Sequence, residues 1–434
     1  MKKESVVRGR GRGALFHMSS ALLIGFPVLM LPLVAQPSAP LQTAQLLAEA
    51  REPVRIVCFG DSITGIYYHS GNRRAWPEML EIALTRLYPK ASLEVINAGV
   101  SGNTSAQGLA RIQRDVLDRK PQLVVVMFGM NDLAYGSVSP ERDAAEKAAF
   151  VNRLKTIITQ CRAIDAEVIL CTQNPICAEA LPRRPPERVG EFAELIRRTG
   201  AELGVPVTDI YTEWTTLRKT TPRAWRLLMS ETIHPAMAGH MRIAEAVAKT
   251  ISGRVVSLSD VLPEQPVCGG LIARLKEGKP VKLAVPARLE PAIRAMVLRR
   301  FPSAALTIIP VAEEKATLAA AVEAYKKVRD LKPDFVFVSL APELLSFEDE
   351  ESFIRQVSWL IDESLPFSGP VWTAVGVDPI LLTAGLTQKQ QTGLDLFRDI
   401  VRGHDLDWIG QPADSSGSLQ TVLNQWFGKQ IEEK

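Results

Sequence analysis

The sequence predicts an α/β fold in which a parallel sheet carries helices on both faces. From Val54 onward, short runs rich in β-branched residues alternate with helical patterns. The short runs are continuously apolar, which is typical of strands that are buried on both faces of a parallel sheet. Strands that alternate with helices form right-handed crossovers, and these cover both sides of the sheet.

Five strands are expected in the first half of the chain. In order, they are Val54–Phe59, Leu93–Ile96, Leu123–Phe128, Val168–Cys171 and Val205–Thr208. The helices are expected at Trp76–Tyr88, Ser105–Asp118, Glu141–Arg162 and Glu187–Leu203, with a last one from Pro235 to about Ile251. Because ligands bind at the carboxyl ends of the strands in such sheets, residues that follow a strand are candidates for a site.

The length of 434 residues indicates two or three domains. Residues 53–251 hold the pattern described above and form the first predicted domain. Residues 252–280 are rich in Gly and Pro and are predicted to be a linker. Residues 281–434 are predicted to form a second, smaller α/β domain of similar type.

A weak internal repeat supports the second domain. Residues 297–306 match residues 84–93 at an offset of 213 residues, and residues 332–338 match residues 120–126 at an offset of 212. A repeat at this period indicates duplication, although any two doubly wound domains share a rhythm of strands and helices.

The first 35 residues differ from the rest of the chain. Five basic residues precede an apolar run at residues 14–34, and Leu33-Val34-Ala35 stands before Gln36. This arrangement is typical of a secretory signal with a small-residue cleavage site. The alternative is an uncleaved membrane anchor, because the run approaches the ~20 residues that span a bilayer. We therefore expect a periplasmic, extracellular or outward-facing tethered protein, with residues 36–52 as a linker.

The charge balance does not indicate a nucleic-acid partner. The full chain has a formal net charge of +3, but residues 1–35 contribute +4, so the remainder carries −1. The excess of basic residues belongs to the targeting segment rather than to a binding surface.

The five cysteines show no metal-ligand spacing and are mostly expected to be small core residues. Cys58, Cys161 and Cys171 lie in strand or helix patterns, whereas Cys177 and Cys268 lie in expected loops. A disulfide between Cys171 and Cys177 could form in an exported protein, and the sequence does not decide it.

Ser62 is the candidate nucleophile, because it follows the first expected strand across a Gly-Asp turn. A serine hydroxyl needs an adjacent base to take its proton. At a turn into a helix, the backbone N–H of the serine can also point at a developing negative charge. Taken alone, Ser62 would more simply be a helix N-cap.

His234 is the candidate base, and Glu231 is the candidate acid that orients it. Of the four histidines after residue 35, only His234 has an acid three residues earlier and a proline directly after it. A carboxylate on one ring nitrogen holds the imidazole in a single tautomer. His240 lies inside the last helix pattern and is expected to be structural.

Gly102 and Asn131 are the remaining candidate donors to an oxyanion. Glycine permits a close approach of its backbone N–H, and asparagine offers a side-chain amide. Either residue could instead serve only in a turn, which is the role expected for Gly99. Asp132 is expected to support its loop.

The second half of the chain lacks this chemistry. Ala287-Arg288-Leu289 stands where the first half has Gly60-Asp61-Ser62, and Ala341-Pro342-Glu343 stands where it has Gly129-Met130-Asn131. His404 is the only histidine in this half and is expected at the surface near a helix end. The second domain is therefore predicted to be degenerate and non-catalytic.

Five segments carry the predicted chemistry in a fixed order. They are Gly60–Ile63, Asn97–Thr104, Gly129–Asp132, Asn174-Pro175 and Glu231–Pro235. In order and spacing they resemble the SGNH/GDSL hydrolase family over about residues 53–251. The resemblance implies a flavodoxin-like three-layer α/β/α sandwich with no metal or organic cofactor. It implies Ser62 as nucleophile, the oxyanion donors Ser62, Gly102 and Asn131, and His234 as base.

One residue departs from the family pattern, which usually has Asp three residues before the histidine. Glu231 is longer by one C–C bond, on the order of 1 Å, so its carboxylate reaches His234 only if the loop compensates. Glutamate does fill this role in related triads.

The leading hypothesis is an exported serine esterase that hydrolyses short-chain or carbohydrate O-acetyl esters through an acyl-enzyme on Ser62. A lysophospholipase-type lipolytic esterase is the alternative within the same chemistry. A binding or scaffold protein that retains the segments as relics is the alternative of another class. The expected partner is a small-molecule or carbohydrate ester, with a possible membrane tether through residues 14–34.

Overall fold

The computed structural model describes residues 41–133, 139–178, 184–311, 317–367, 372–382, 385–410 and 418–432. The predicted signal or anchor at residues 1–35 therefore lies outside the described residues. Within them, no helix is both long and apolar enough to cross a bilayer. Part of the expected linker 36–52 is helical: α1 (Gln42–Glu49) packs Leu47 into the core, and its first N–H groups donate to the Glu167 carboxylate at 2.8 Å.

A five-stranded parallel sheet forms the centre of the first half of the chain. Its strands are β1 (Val54–Gly60), β2 (Leu93–Gly99), β3 (Leu123–Met127), β4 (Glu167–Cys171) and β5 (Val207–Thr208). Their order across the sheet is β2-β1-β3-β4-β5, which is the flavodoxin-like order. The predicted fold class, a doubly wound α/β/α sandwich, is confirmed.

Helices connect these strands, mostly where the sequence predicts them. They are α2 (Trp76–Leu87), α3 (Ser105–Asp115), α4 (Pro140–Arg162), α5 (Pro186–Leu203), α6 (Ile210–Thr220), α7 (Pro222–Arg226) and α8 (Met237–Ser252). The sequence analysis missed α6 and α7, although Asp209 caps α6 through a bond from the Thr212 N–H and Pro222 opens α7.

Strand β2 differs from its prediction. It was expected to be buried on both faces, but none of its residues is fully buried. The strand order explains the difference, because β2 is an edge strand that pairs only with β1.

The second half contains another five-stranded parallel sheet. Its strands are β6 (Val281–Pro286), β7 (Leu306–Val311), β8 (Phe335–Val338), β9 (Ala374–Val377) and β10 (Asp407–Ile409). The order β7-β6-β8-β9-β10 is the same as that of the first sheet. The helices of this half are α9 (Gly269–Lys276), α10 (Glu290–Arg300), α11 (Leu318–Leu331), α12 (Glu350–Ser364), α13 (Gln388–Gly403) and α14 (Leu419–Glu432).

The expected linker at residues 252–280 is not wholly a linker. Helix α9 lies within it, and the buried side chains of Leu271 and Leu275 pack into the core around the second sheet. The flanking glycines and prolines hid this apolar pattern in the sequence.

The two halves pack against each other, and residues 40–434 form one compact unit. Arg74 forms a salt bridge with the buried Asp405 carboxylate, and the Asn72 side-chain amide donates to the Pro366 carbonyl at 2.7 Å. His404 was expected at the surface, and this expectation is wrong. It is 1% exposed because the end of α13 packs against α8 of the first half.

Candidate active site

The candidate site lies at the carboxyl edge of the first sheet. The ends of three strands are aligned there, since Gly60 pairs in register with both Gly99 and Met127. The turn that carries Ser62, the loop after β2 and the loop after β3 therefore begin side by side. Ser62 is 7% exposed at this edge.

Ser62 and His234 are in direct hydrogen-bond contact. The distance from Ser62 Oγ to His234 Nε2 is 2.8 Å, although the two residues are 172 positions apart. On its other side, His234 Nδ1 contacts Oε1 of Glu231. Because a carboxylate can only accept, Nδ1 carries the proton and Nε2 is left to accept from the serine hydroxyl.

The loop around Glu231 compensates for the extra methylene. Its carboxylate accepts backbone N–H groups from His234 at 2.7 Å and from Ile233 at 3.0 Å, as well as the Thr232 hydroxyl at 2.9 Å. The loop thus curls around the carboxylate and brings it to the imidazole. Burial raises the pKa of Glu231, but the charge of His234 and the hydrogen bonds from His234 and Ile233 outweigh burial and lower it to about 2.

Neighbouring segments fasten this loop from two sides. From the first half, the Asn174 side-chain amide donates to the Ile233 carbonyl at 3.0 Å, and the Cys177 N–H donates to the Thr232 carbonyl at 2.8 Å. From the second half, the buried Asp362 accepts the Ser230 hydroxyl at 2.6 Å. The predicted Asn174-Pro175 segment thus holds the loop that carries Glu231 and His234.

The three predicted oxyanion donors are the backbone N–H groups of Ser62 and Gly102 and the side-chain amide of Asn131. Within the described part of the chain, the backbone N–H groups of Ser62 and Gly102 have no acceptor. Gly102 is exposed in the turn after β2 with φ +74°, a conformation that favours glycine. The Asn131 side chain is oriented by Arg184, which donates to its Oδ1 at 2.9 Å, and its Nδ2 donates to the Asn103 carbonyl at 3.1 Å. One Nδ2 hydrogen remains available.

Further contacts hold the loop that carries Gly102. Asp132 accepts the Ser105 N–H at 2.9 Å at the start of α3, and Arg153 pairs with the same carboxylate at 3.2 Å. The Tyr67 hydroxyl accepts the Ser101 N–H at 2.8 Å. Asp132 therefore stabilises the loop that carries Gly102, as expected of a supporting residue. Tyr67 and Arg153 stabilise the same region, and the sequence analysis missed both.

Gly99 is required for close packing rather than for a turn. It is the last residue of β2, and a Cβ on it would lie 2.2 Å from the Gly65 backbone nitrogen. Arg111 joins the same strand ends, since its guanidinium donates to the carbonyls of Gly60 at 2.8 Å and Ala98 at 2.9 Å.

A chain of histidines lies behind Ser62. The Trp76 N–H donates to His240 Nδ1 at 3.2 Å, so His240 carries its proton on Nε2 and donates to His69 Nδ1 at 3.3 Å. His69 in turn donates from Nε2 to the Ser62 carbonyl at 3.2 Å. Burial and the charge of His234 lower the pKa of both rings, and His240 lowers the pKa of His69 further. The pKa of His240 falls to about 3. Both rings are therefore neutral at physiological pH.

His69 is the main residue that the sequence analysis missed. Its ring stacks on His234 with centroids 4.6 Å apart. It has no acidic residue nearby in the sequence, so nothing in the local pattern linked it to the catalytic segments. His240, expected to be structural, is fully buried and supports His69.

Asp61 is a second buried group and directly precedes Ser62, the candidate nucleophile. Its Oδ1 accepts the Ile63 N–H at 3.0 Å, and among the described residues its Oδ2 has no hydrogen-bond partner. Burial raises the pKa of Asp61 to about 7, and the Ile63 bond and the charge of His234 only partly oppose this.

The corresponding edge of the second sheet is occupied differently. Arg288 stands in the turn after β6, at the position that matches Asp61, and its guanidinium donates to the Ser339 hydroxyl at 3.1 Å. The buried His404 bonds to the Ile400 carbonyl through Nδ1 at 2.7 Å, and its Nε2 lies 3.5 Å from Asp362 Oδ1. The serine at this edge, Ser339, is thus bonded to an arginine rather than to a histidine.

The cysteines are all buried, and none forms a disulfide. Cys171 and Cys177 are thus not bonded to each other. In the ranges that the structure describes, no three His, Cys, Asp or Glu side chains are grouped to hold a metal ion.

Comparisons with known proteins match the same part of the chain to a family. Residues 58–242 match the model of the GDSL-like lipase/acylhydrolase family. An acetylxylan esterase of Geobacillus stearothermophilus is 27% identical over 173 residues, which are 39% of this chain and 76% of that protein. Thioesterase 1/protease 1/lysophospholipase L1 of Escherichia coli K12 is 27% identical over 197 residues, 45% of this chain and 82% of that protein.

Among solved structures, a lipase/acylhydrolase from Enterococcus faecalis is 28% identical. The alignment covers 47% of this chain and 97% of that one, with a TM-score of 0.39.

Residues 58–242 thus match a GDSL-like lipase/acylhydrolase domain and are similar to SGNH hydrolases, as the motifs predicted. Its chemistry is that of an ester hydrolase. The family match ends at residue 242, so the second half lies outside it.

Proposed function

We propose that this protein is an exported serine esterase that cleaves short-chain or carbohydrate O-acetyl esters through an acyl-enzyme on Ser62. The observation that carries the proposal is the continuous contact from Ser62 Oγ through the His234 ring to the Glu231 carboxylate. In this arrangement Ser62 is the nucleophile, His234 the base and Glu231 the acid that orients it.

In the first half-reaction, Ser62 Oγ attacks the ester carbonyl while its proton passes to His234 Nε2. The carbonyl oxygen becomes an oxyanion, which the N–H groups of Ser62 and Gly102 and the Asn131 amide stabilise. Glu231 stabilises the imidazolium that forms. His234 then gives its proton to the alcohol oxygen as the carbon–oxygen bond breaks and leaves acyl-Ser62.

In the second half-reaction, water replaces the alcohol. His234 takes a proton from the water, whose oxygen attacks the acyl carbonyl and forms a second oxyanion held by the same donors. Collapse of this intermediate returns the proton to Ser62 Oγ and releases the carboxylic acid. Glu231 stays ionised throughout, in keeping with its lowered pKa of about 2.

Two substrate classes follow from the relatives. Similarity to an acetylxylan esterase supports O-acetyl sugars, whereas similarity to a thioesterase and lysophospholipase supports the lipolytic alternative. The preference for acetylated sugars rests on the aromatic and acidic lining of a cavity beside Glu231.

A non-catalytic binding role is the alternative of another class. In a protein that kept these segments without catalysis, nothing would maintain the alignment of Ser62, His234 and Glu231. The same holds for the orientation of the Asn131 amide by Arg184. The retained alignment favours catalysis.

We also propose the limits of the two domains and the route of export. Residues 53–251 and 281–434 are two duplicated domains, a proposal that the shared strand order of the two sheets supports. The proposal of export rests on the basic and apolar character of residues 1–35. In the alternative, this segment is not cleaved and residues 14–34 tether the protein to the membrane.

Labelling with a fluorophosphonate tests the proposal, with turnover of p-nitrophenyl acetate measured in parallel. The wild-type protein is expected to label and to turn over the ester, and Ser62→Ala to do neither. Ser101→Ala, on the neighbouring loop, is the control and should still label. A folded wild-type protein that neither labels nor hydrolyses the ester would favour the binding role instead.

A further inference from the structure

A cavity of about 320 Å³ lies between the two halves of the chain, directly beside the candidate site. Glu231 and Thr232 of the catalytic loop form one wall, and residues of α11 and α12 form the opposite one. Its volume lies at the lower end of the ~300–1,000 Å³ that small-molecule pockets span. The second half thus supplies part of a pocket that the first half alone would leave open.

Tyr68 connects this cavity to the catalytic histidine. It lines the cavity, its ring centroid is 6.3 Å from that of His234, and it is 6.0 Å from that of Phe367. The Tyr68 ring therefore lies between a ligand in the cavity and the His234 imidazole.

Two aromatic side chains of this cavity are exposed to solvent. Phe367 is 64% exposed and Trp359 is 39% exposed, and both belong to the second half. The Arg329 guanidinium covers one face of Phe367 at 3.9 Å from the ring centroid, which fixes the ring by a cation–π contact. Exposed, oriented aromatic rings mark a binding surface rather than a core.

The remaining lining is mostly polar and has an excess of negative charge. Four acidic residues (Glu231, Glu323, Asp362 and Glu363) face two basic ones, Lys326 and Arg329. Arg329 is already paired with Glu363 at 3.0 Å. Such a lining disfavours an anionic ligand, and the more exposed carboxylates of Glu323 and Glu363 can accept hydrogen bonds from hydroxyl groups.

We propose that this cavity is a subsite for a neutral sugar unit, adjacent to the unit whose ester Ser62 attacks. This inference rests on the proposed esterase function. A sugar ring presents C–H groups on its faces and hydroxyls on its rim, which match the aromatic faces and the carboxylates of the lining. A lysophospholipid would bring a phosphate to an acidic wall and a long acyl chain to a short, half-polar cavity.

The test compares two substrates in the full-length protein. One is an acetylated xylo-oligosaccharide, which would reach the cavity, and the other is p-nitrophenyl acetate, which would not. Trp359→Ala and Phe367→Ala are expected to lower kcat/KM for the oligosaccharide by about 3–10-fold, mainly through KM, and to leave the aryl ester unchanged. Leu262→Ala removes a 76% exposed apolar side chain outside the cavity and serves as the matched control.

Each outcome is informative. If both variants keep the wild-type kcat/KM on the oligosaccharide, or lose activity on both substrates alike, the sugar subsite is wrong. The subsite also fails if the variants impair a lysophospholipid instead, or if the wild-type protein hydrolyses the aryl ester but not the oligosaccharide. In that last case the esterase function stands. A wild-type protein that hydrolyses neither ester, and whose Ser62 does not label, removes the esterase function itself.

Discussion

The imidazole of His69 lies flat against that of His234, with ring centroids 4.6 Å apart and planes 7° from parallel. His69 also donates a hydrogen bond to the Ser62 carbonyl at 3.2 Å. One neutral side chain therefore touches both the base and the backbone of the nucleophile. It is placed to hold the two in register as His234 gains and loses a proton.

Two substitutions of His69 separate the effects of its two contacts. His69→Phe keeps a flat ring against His234 but loses the donor to Ser62, whereas His69→Gln keeps a donor and loses the stacked ring. We expect each to lower kcat by about 10–100-fold with little change in KM, because small displacements of reacting groups are costly. Steady-state kinetics over a range of pH measures both effects.

A positioning role for His69 predicts more than a loss of rate. The variant that loses the stacked ring should also change the pH dependence of kcat/KM, since the surroundings of His234 change. Thermal unfolding identifies variants that simply fail to fold. Two folded variants with wild-type rates and pH profiles would show that His69 has no part in the reaction.

Asn131 is expected to contribute to the rate rather than to ground-state binding. Asn131→Ala removes the amide that Arg184 orients, and loss of one oxyanion donor typically costs ~10²–10³ in kcat. Asn152→Ala, on the exposed face of α4, is the matched control and should behave as wild type. A rise in KM alone, with kcat intact, would assign Asn131 to substrate binding instead.

Substitutions of Glu231 test whether the loop is shaped for glutamate rather than for the shorter aspartate. Glu231→Gln keeps the shape but loses the charge that stabilises the imidazolium, and we expect kcat to fall by ~10²–10⁴. Glu231→Asp keeps the charge but cannot reach all of its present donors, so a loss of about tenfold is expected. An aspartate variant faster than wild type would show that the loop does not favour glutamate.

The raised pKa of Asp61 predicts how the free energy of unfolding changes with pH. Its pKa is raised from 3.8 to about 7 in the folded protein, so its contribution to stability is complete below about pH 4 and is lost as the pH rises through 7. Asn at this position cannot ionise. Between about pH 5 and pH 8, the free energy of unfolding of Asp61→Asn should therefore gain about 2 kcal/mol relative to wild type.

Denaturant unfolding of both proteins at the two pH values measures this difference. Other carboxyls titrate in both proteins and cancel, and Glu231 stays ionised throughout because its pKa is about 2. A difference between the two proteins that does not vary with pH would mean that Asp61 titrates normally.

The sequence predicts best what is local or strictly ordered. Strand and helix periodicity predicts the sheet, and the order of five short segments singles out Ser62 and His234, which the structure brings into contact. The apolar composition of β2 predicts burial on both faces, and this is wrong because composition does not show that a strand lies at the sheet edge. His404 was misplaced for a related reason, since its burial comes from packing between the two halves.

Other features depend on contacts between residues far apart in the chain. The stacking of His69 on His234 joins residues 165 positions apart, and the Ser230–Asp362 bond joins residues 132 positions apart. The curl of the loop around Glu231 is local, but it is set by backbone N–H groups whose directions the residue types do not reveal. The cavity beside Glu231 needs both halves of the chain to exist.

The central claim is that Ser62 carries the acyl group during turnover, and rapid-quench mass spectrometry tests it most directly. Mixing the protein with p-nitrophenyl acetate should give a burst of nitrophenol, and the peptide that contains Ser62 should gain one acetyl group that decays with turnover. His234→Ala should show neither. Turnover with no acetylated peptide, or with the acetyl group on another residue, would contradict the account.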